Sequence, residues 1–323
     1  MQKTLSVVNL TAIENNAKLV KNMLNGQKFY AVVKANAYGH GAERVALSLQ
    51  HIVDGFCVAI AEEGAALRIA GITKPILVLI PPLSEHDVER LTLYGLTATV
   101  SNKFTAKLCK NVNCHVKINT GMNRLGCNIS ELYSVLNELN AQNVKGVYSH
   151  LYAPNCKKSS YNQLKIFNEA EQIVKSFSPK AIAHIAASGG ILRGNDFLKN
   201  GVRCGILLYG YAPKGFKLKG LLPALKVYAR LTQTTKFIGG GIGYAKASKN
   251  YQTLGCYRLG YADGFLRSLG VGESNLCMDA FISQKRQKLL PVLTNAERLA
   301  KRNKTISYEI LSKATLRSEI VYV

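Results

Sequence analysis

Short apolar runs rich in β-branched residues alternate with longer segments of helical spacing over the first two-thirds of the chain. The intervening segments, such as SEHDVERLTLYG, have apolar residues on one helical face, and Ser84 with Asp87, and Ser130, are candidate N-caps. Eight strand–helix units over about 200 residues favour a parallel (β/α)8 barrel, although a doubly wound sheet would give the same periodicity. The eight runs are FYAVVKA, GFCVAI, ILVLI, TATV, CHVKIN, VKGVYSHL, AIAHIAA and GVRCGILLYG.

After Leu218 the pattern changes to stretches in which apolar and polar residues alternate, as in LPALKVYARLTQTTKF and YQTLGCYRLGYADGF. Alternation is typical of strands with one solvated face, and the glycines at 239–241 are typical of a turn. We therefore predict an α/β protein: a (β/α)8 TIM-type barrel at residues 1–218, followed by a smaller, mostly antiparallel β domain at residues 219–323. Residues 1–8 could pack with the β domain instead of the barrel.

The composition is that of an ordinary globular protein, with 323 residues, 47% of them hydrophobic and 19% charged. The eight cysteines are scattered without a CxxC pair, which indicates reduced thiols and no zinc site, so we expect no metal. The first residues, MQKTLSVVNLTAIENN, lack the apolar core of a signal peptide, and no stretch is long enough to span a membrane. We expect a cytoplasmic protein with no membrane partner.

The net charge of +23 raises the question of an anionic partner. Lysines and arginines are spread along the chain, and the one dense cluster, QKRQKLLPVLTNAERLAKRNK, alternates them with apolar residues. We interpret this cluster mainly as the solvated face of a helix near Asn295–Lys301. A nucleic-acid partner is the less favoured alternative, and positive potential would also suit a phosphate-bearing cofactor.

Lys34 lies in the run AVVKANAYGHG, directly after an apolar strand. A lysine that is desolvated at a strand end can lose its proton and form a Schiff base. The alternative is a structural lysine whose stem covers apolar surface while its ammonium reaches water. The sequence around Lys34 therefore indicates a candidate site for covalent chemistry.

Polar residues and glycines also follow the predicted fifth to eighth strands. In (β/α)8 barrels the chemistry lies at the carboxyl ends of the strands, and the loops after strands seven and eight commonly hold a phosphate. We therefore expect these groups to meet in one cofactor-sized site, although each alone could be a buried histidine, a helix cap or an ion-pair partner. The candidates are Lys117, Arg124, His150, Ser188, Arg203, Gly205 and Ile206.

Together these motifs resemble those of the alanine racemase family, in the same order along the chain. The likeness continues in the second domain with GGGIGYAKA around Tyr244, GYADGFLR at residues 260–267 and CMD at residues 277–279. The resemblance implies a pyridoxal 5'-phosphate enzyme that interconverts L- and D-alanine, for peptidoglycan synthesis. It also implies a homodimer whose active sites combine Lys34 of one subunit with Tyr244 of the other.

The family resemblance also implies a role for each candidate residue. Lys34 would carry the cofactor and act as the base for D-alanine, while Tyr244 would be the base for L-alanine. Tyr38, Ser188, Gly205 and Ile206 would hold the phosphate, Arg203 would face the pyridine nitrogen, and a His150–Arg203 pair would stabilise the tyrosine phenolate. The substrate carboxylate would bind Arg124 and the Met278 amide, and the supporting or entrance residues would be Lys117, Tyr261, Arg267 and Asp279.

Lys117 matches a position that is carbamylated in some members of the family. The chain departs from the family pattern at Ala187, where Asn is common, at Leu316, where some members have Tyr, and between Arg267 and Cys277, where it is about one hairpin shorter. Three alternatives stay open: a broad-specificity amino acid racemase, a decarboxylase of related fold, and a non-catalytic pyridoxal-phosphate-binding protein. A fourth, a basic surface-binding protein with the barrel as scaffold, would bind no cofactor.

Overall fold

The computed structural model describes residues 4–323. They form two compact units, one made of Glu14–Ala35 and Ala42–Leu221, the other of residues up to Ile13, Asn36–Gly41 and Leu222–Val323. The strands are β1 (Thr4–Val8), β2 (Lys28–Val32), β3 (Gly55–Val58), β4 (Ile76–Val78), β5 (Ala98–Val100), β6 (Cys114–Lys117), β7 (Val144–Tyr148), β8 (Ile182–His184), β9 (Gly201–Cys204), β10 (Leu225–Lys236), β11 (Gly241–Ile242), β12 (Ala245–Lys246), β13 (Thr253–Arg258), β14 (Ala280–Ser283), β15 (Leu289–Leu293) and β16 (Ser318–Tyr322).

The helical segments have the following bounds: α1 (Leu10–Lys21), α2 (Lys34–Gly39), α3 (Ala42–Leu49), α4 (Ala61–Ile69), α5 (Glu85–Leu93), α6 (Lys103–Leu108), α7 (Ile129–Leu136), α8 (Lys157–Phe177), α9 (Ser188–Arg193), α10 (Ala296–Arg302) and α11 (Ser307–Lys313). Short 3-10 turns also occur, among them Ile206–Tyr209 and Tyr261–Asp263. No helix within residues 4–323 combines the length and apolar character needed to cross a membrane.

The larger unit contains the expected eight-stranded parallel barrel. Two four-stranded sheets, in the orders β4-β3-β2-β9 and β5-β6-β7-β8, contain only parallel pairs. Single parallel bridges, Leu77↔Thr97 and Ala187↔Arg203, join one sheet to the other at both edges. The strands therefore follow one another in the cyclic order of a (β/α)8 barrel, which confirms the fold class predicted from the sequence.

Burial explains why these apolar runs form barrel strands. All four residues of β3 and all four of β6 are buried, as expected for parallel strands covered on both faces. Helix α8 buries one face only, since its buried apolar residues Leu164, Phe167, Ala170 and Val174 recur at helical spacing. Each large apolar side chain removed from water in this way contributes about 1.5–3 kcal/mol.

The smaller unit is built on a six-stranded sheet in the order β14-β13-β10-β1-β16, with β15 also paired to β10. Its pairs are antiparallel except that β1 runs parallel to β16. The predicted helix near Asn295–Lys301 is α10, whose first turn is capped by the Asn295 side chain accepting from the Arg298 amide at 2.9 Å. A second, two-stranded ribbon joins β11 to β12.

Candidate active site

Lys34 follows β2 at the carboxyl end of the barrel strands. The backbone amide of Val33 still bonds to the Cys57 carbonyl of the neighbouring strand, so Lys34 comes from a fixed edge. Its side chain is partly buried, and burial, followed by the positive charge of Arg124, lowers the pKa of the ammonium. The carboxylate of Glu63 opposes this shift. A lysine with a lowered pKa supplies the neutral amine that covalent chemistry requires.

The backbone after Lys34 turns with the opposite hand to an ordinary helix. The φ angles of Ala35, Asn36, Ala37 and Tyr38 lie between 50° and 53°, in the left-handed region. This conformation costs about 1–2 kcal/mol per residue that has a Cβ atom. Glu63 stabilises its start, since one carboxylate oxygen accepts from the Ala35 amide and the other from the Ala59 amide, both at 2.6 Å.

Lys117 is buried at the end of β6 in surroundings that disfavour its charge. Burial and the positive charges of Arg124, Arg203 and Lys34 lower its pKa to about 7. Its Nζ atom lies 5.5 Å from the ring centroid of Tyr148. Arg124 itself is exposed, in the loop after β6. This end of the barrel is thus strongly cationic, which favours an anionic ligand.

Arg203, on β9, is only 3% exposed, and its guanidinium is held by the residue that follows β7 and by the last residue of β8. Nη1 donates to His184 Nδ1 at 2.5 Å and to the His184 carbonyl at 2.8 Å, and Nη2 donates to the Ser149 carbonyl at 2.6 Å. The sequence predicted a His150–Arg203 pair, and here the structure differs. Within residues 4–323 the imidazole bonded to Arg203 is that of His184, because His184 points into the barrel from the strand beside β9.

His150 follows β7, as predicted, and Arg203 acts on it through charge alone. Burial and then the charges of Arg203 and Arg124 lower the pKa of His150 to about 3. The imidazole is therefore neutral at neutral pH.

Ser188 and Gly205 come together after β8 and β9. Ser188 begins α9 and is 4% exposed, and its hydroxyl accepts from the Gly205 amide at 3.1 Å. Ile206 begins the following 3-10 turn. Hydroxyl and amide groups at the starts of helical turns are suited to phosphate. With a lysine of lowered pKa in the same unit, the donor set fits a cofactor that has both an aldehyde and a phosphate group.

The remaining predicted site residues lie in the smaller unit, at four different places. Tyr38 is buried, with its ring centroid 5.6 Å from that of Tyr308. Tyr244 is 84% exposed in the two-residue loop of the β11–β12 hairpin, where Ile242 pairs with Ala245. Arg267 is exposed.

Tyr261, Met278 and Asp279 belong to two turns that pack against each other. A Cβ atom on Gly260 would lie 2.0 Å from the Met278 carbonyl oxygen, so this approach requires glycine. The Ala262 amide donates to that carbonyl at 3.0 Å. Asp279 binds Arg317 at 2.7 Å, and Arg317 also binds the buried Asp263 at 3.0 Å. The Met278 turn is thereby fixed within its own unit.

Comparison with known proteins identifies the family. The family model "Alanine racemase, N-terminal domain" matches residues 8–213. The chain belongs to the alanine racemase family. An alanine racemase of Mannheimia succiniciproducens is 34% identical over 281 residues, which cover 82% of this chain and 77% of that protein.

Solved structures of alanine racemases have the same fold. The alanine racemase of Clostridium difficile superimposes with a TM-score of 0.87 at 28% identity, covering 100% of this chain and 96% of that one. The alanine racemase of Bartonella henselae, solved with covalently bound pyridoxal phosphate, gives a TM-score of 0.84 at 25% identity, with 99% of each chain covered. The resemblance inferred from the sequence motifs is confirmed.

Three residues of this alanine racemase fold were missed from the sequence. Glu63 gave no signal, because its partner amides are backbone groups brought close only by folding. His184 and His115 lie inside predicted strands, four residues before Ser188 and two before Lys117. Their alternation with apolar neighbours could have marked them as pointing into the barrel.

Proposed function

We propose that this protein is a pyridoxal 5'-phosphate-dependent alanine racemase that works by two bases. The observation that carries the proposal is the position of Lys34: it has a lowered pKa and stands at the barrel mouth of a chain that belongs to the alanine racemase family. Pyridoxal phosphate, when bound, supplies an electron sink that makes the α-proton of an amino acid acidic. The side chains have to bind and orient the amino acid and to move that proton.

Within the barrel unit, Lys34 would hold the cofactor, and Ser188, Gly205 and Ile206 would bind its phosphate. The family resemblance gives Tyr38 the same role toward the phosphate. Arg203 keeps its proton at any accessible pH, so it would present a permanent positive donor to the ring nitrogen. Neutral His150 would line the same site. Arg124, with the Met278 amide of a partner subunit, would bind the substrate carboxylate, a task suited to a bidentate guanidinium.

The two bases would act from opposite faces of the substrate. Lys34 would take or return the α-proton of D-alanine, and Tyr244 of a second subunit that of L-alanine. The exposure of Tyr244 at a hairpin tip supports a role toward another molecule. A free tyrosine titrates near pH ~10, so cationic groups must stabilise its phenolate. Tyr261, Arg267 and Asp279 would line the entrance, and Lys117, whose pKa the charge of Arg124 lowers, would support Arg124.

The wider setting is part of the same proposal. We place the protein in the cytoplasm as a homodimer that supplies D-alanine for peptidoglycan, with the cofactor-binding barrel within residues 1–218 and a β domain at residues 219–323, whose sheet also includes β1. No nucleic acid or membrane is needed as a partner, because the basic groups at the barrel mouth serve anionic ligands.

The cofactor test exploits the fact that two lysines, Lys34 and Lys117, have lowered pKa values. The purified protein is loaded with pyridoxal phosphate, reduced with borohydride, digested and analysed by mass spectrometry. We expect the reduced cofactor on Lys34 and none in Lys34→Ala. Attachment to Lys117, or a protein that takes up no pyridoxal phosphate, would contradict the proposal.

A further inference from the structure

Arg203 carries a buried positive charge that no carboxylate among the described residues neutralises. Within residues 4–323 it forms no ion pair with Asp or Glu, and its acceptors are two backbone carbonyls and one imidazole nitrogen. These bonds use both Nη1 hydrogens and one on Nη2, leaving Nε–H and the other Nη2–H without a protein acceptor among the described residues. Burying a charge in this way is costly, and groups of this kind cluster at functional sites.

The bond from Arg203 determines where the proton of His184 lies. A guanidinium has only donors, so His184 Nδ1 must be the acceptor. A neutral imidazole with an unprotonated Nδ1 carries its hydrogen on Nε2. That Nε2 lies 2.7 Å from His115 Nδ1, so His184 donates and His115 accepts. His115 in turn carries its own hydrogen on Nε2. The three residues thus form one directed chain.

The surrounding packing keeps both imidazoles of this hydrogen-bond chain buried and neutral. His184 is 0% and His115 3% exposed. The His184 ring stacks on the Tyr148 ring, with centroids 5.1 Å apart and planes 1° from parallel. The centroid of the Tyr30 ring lies 5.9 Å from that of His184. Burial, followed by the charge of Arg203, lowers the pKa of His115 to about 3, and burial holds that of His184 well below its ordinary value. Neither ring gains a proton at neutral pH.

We propose that His115 is a positioning residue of the active site: by accepting from His184 Nε2 it selects the tautomer that gives Arg203 its acceptor, and so fixes where the guanidinium points its free N–H groups. The role of those groups toward the cofactor ring rests on the proposed function. The tautomer assignment does not rest on the proposed function, because it follows from the hydrogen bonds among Arg203, His184 and His115. Without His115 as acceptor, His184 can place its hydrogen on Nδ1, where it would meet the N–H of Arg203.

The first test uses nitrogen NMR of the full-length protein labelled in its histidines, with and without pyridoxal phosphate. We expect His184 to be protonated at Nε2 and unprotonated at Nδ1 in the wild type in both states. In His115→Phe, which keeps a ring of similar size but has no acceptor, we expect a mixture of tautomers. In His115→Asn, whose side-chain oxygen can replace Nδ1, the wild-type tautomer should return. A wild-type His184 protonated at Nδ1 would overturn the proposal even if the variants fail to fold.

The second test separates positioning from simple loss of structure. With alanine as substrate, His115→Phe should lower kcat roughly 10- to 100-fold, as loss of a residue that orients a site group does, with KM changed less than about 3-fold. His115→Asn should recover most of this loss, and His51→Phe, at an exposed histidine, should have no effect. An unchanged kcat in His115→Phe would refute the positioning role. A wild type that is inactive on alanine would refute the proposed function, while NMR would still decide the tautomer.

Discussion

The carboxylate of Glu63 accepts a 2.6 Å hydrogen bond from the backbone amide of Ala35, the residue that follows Lys34. Its second oxygen binds the Ala59 amide, also at 2.6 Å. Glu63 therefore ties the point at which the chain leaves β2 to the start of α4. Because the left-handed turn begins at Ala35, this carboxylate fixes the direction in which Lys34 is presented.

Glu63→Gln should lower the pKa of Lys34 further. The negative charge of Glu63 raises that pKa, and glutamine removes the charge while keeping the shape. One of the two amides would also lose its acceptor, at a cost of about 1–3 kcal/mol in the free energy of unfolding. The measurement is competitive acetylation of Lys34 as a function of pH. Glu62→Gln, at the preceding residue of α4 and paired with Arg90, is the control and should change neither quantity. An unaltered titration of Lys34 in Glu63→Gln would contradict the claim that the charge of Glu63 raises the pKa of Lys34.

Lys117→Met should stabilise the cofactor-free protein, and more so at low pH. The folded-state pKa of about 7 lies below that of a free lysine, so the unfolded state binds more protons between those two values. The penalty for burying the charge is complete below about pH 7 and is lost as the pH rises toward ~10.4. We expect a gain of about 1–4 kcal/mol near pH 6, which shrinks by about pH 9. Thermal unfolding at the two pH values measures it, and an equal gain at both would show that Lys117 is not desolvated.

Asp263→Asn should destabilise the smaller unit far more than Asp279→Asn. Both carboxylates bind Arg317, but the Asp263 side chain is 1% exposed and also binds Arg258 at 2.9 Å, while that of Asp279 is 54% exposed. Breaking a buried ion pair costs about 3–5 kcal/mol. An exposed pair contributes about 0–1 kcal/mol. Denaturant unfolding of both variants gives the comparison, and equal losses would refute the central position of Asp263.

Tyr244→Phe tests the second base. We expect pyridoxal phosphate to bind normally, since the residues that would hold it lie elsewhere, while racemisation falls by at least about 100-fold because a general base has been removed. Cofactor absorbance and turnover from each enantiomer are measured in parallel. Turnover close to that of the wild type would remove Tyr244 from the mechanism.

The sequence was sufficient for the eight strand–helix units and for the position of Lys34 at the end of the first of these strands, because both depend on local pattern. The cyclic strand order, which distinguishes a barrel from a doubly wound sheet, does not depend on it. Runs of buried β-branched residues mark parallel strands, and the Ser84 cap was read correctly: the Asp87 amide donates to its hydroxyl at 3.3 Å. Ser130 was wrong as a cap, since α7 begins at Ile129 after Asn128, whose amide binds Glu131. Polar residues two positions apart can each serve as a cap, and here Asn128 occupies the N-cap position.

The Arg203–His184–His115 chain was not predicted, because its members come from three strands whose register only the closed barrel defines. The left-handed turn after Lys34 was also missed. Its residues include alanine and tyrosine, which have no preference for positive φ. Tertiary contacts such as those of Glu63 stabilise this left-handed turn, which the local preferences of its residues do not favour.

The most direct test of the account is the fate of each alanine enantiomer in D2O with protein loaded with pyridoxal phosphate. Chiral separation and mass spectrometry should show that L-alanine and D-alanine each convert to the same near-equal mixture, with deuterium at Cα, and that Lys34→Ala abolishes the conversion. Racemisation of L-serine and of L-lysine, and the release of carbon dioxide, are measured in the same experiment. Unchanged alanine, or turnover or decarboxylation of another amino acid only, would contradict the assignment of this protein as an alanine racemase.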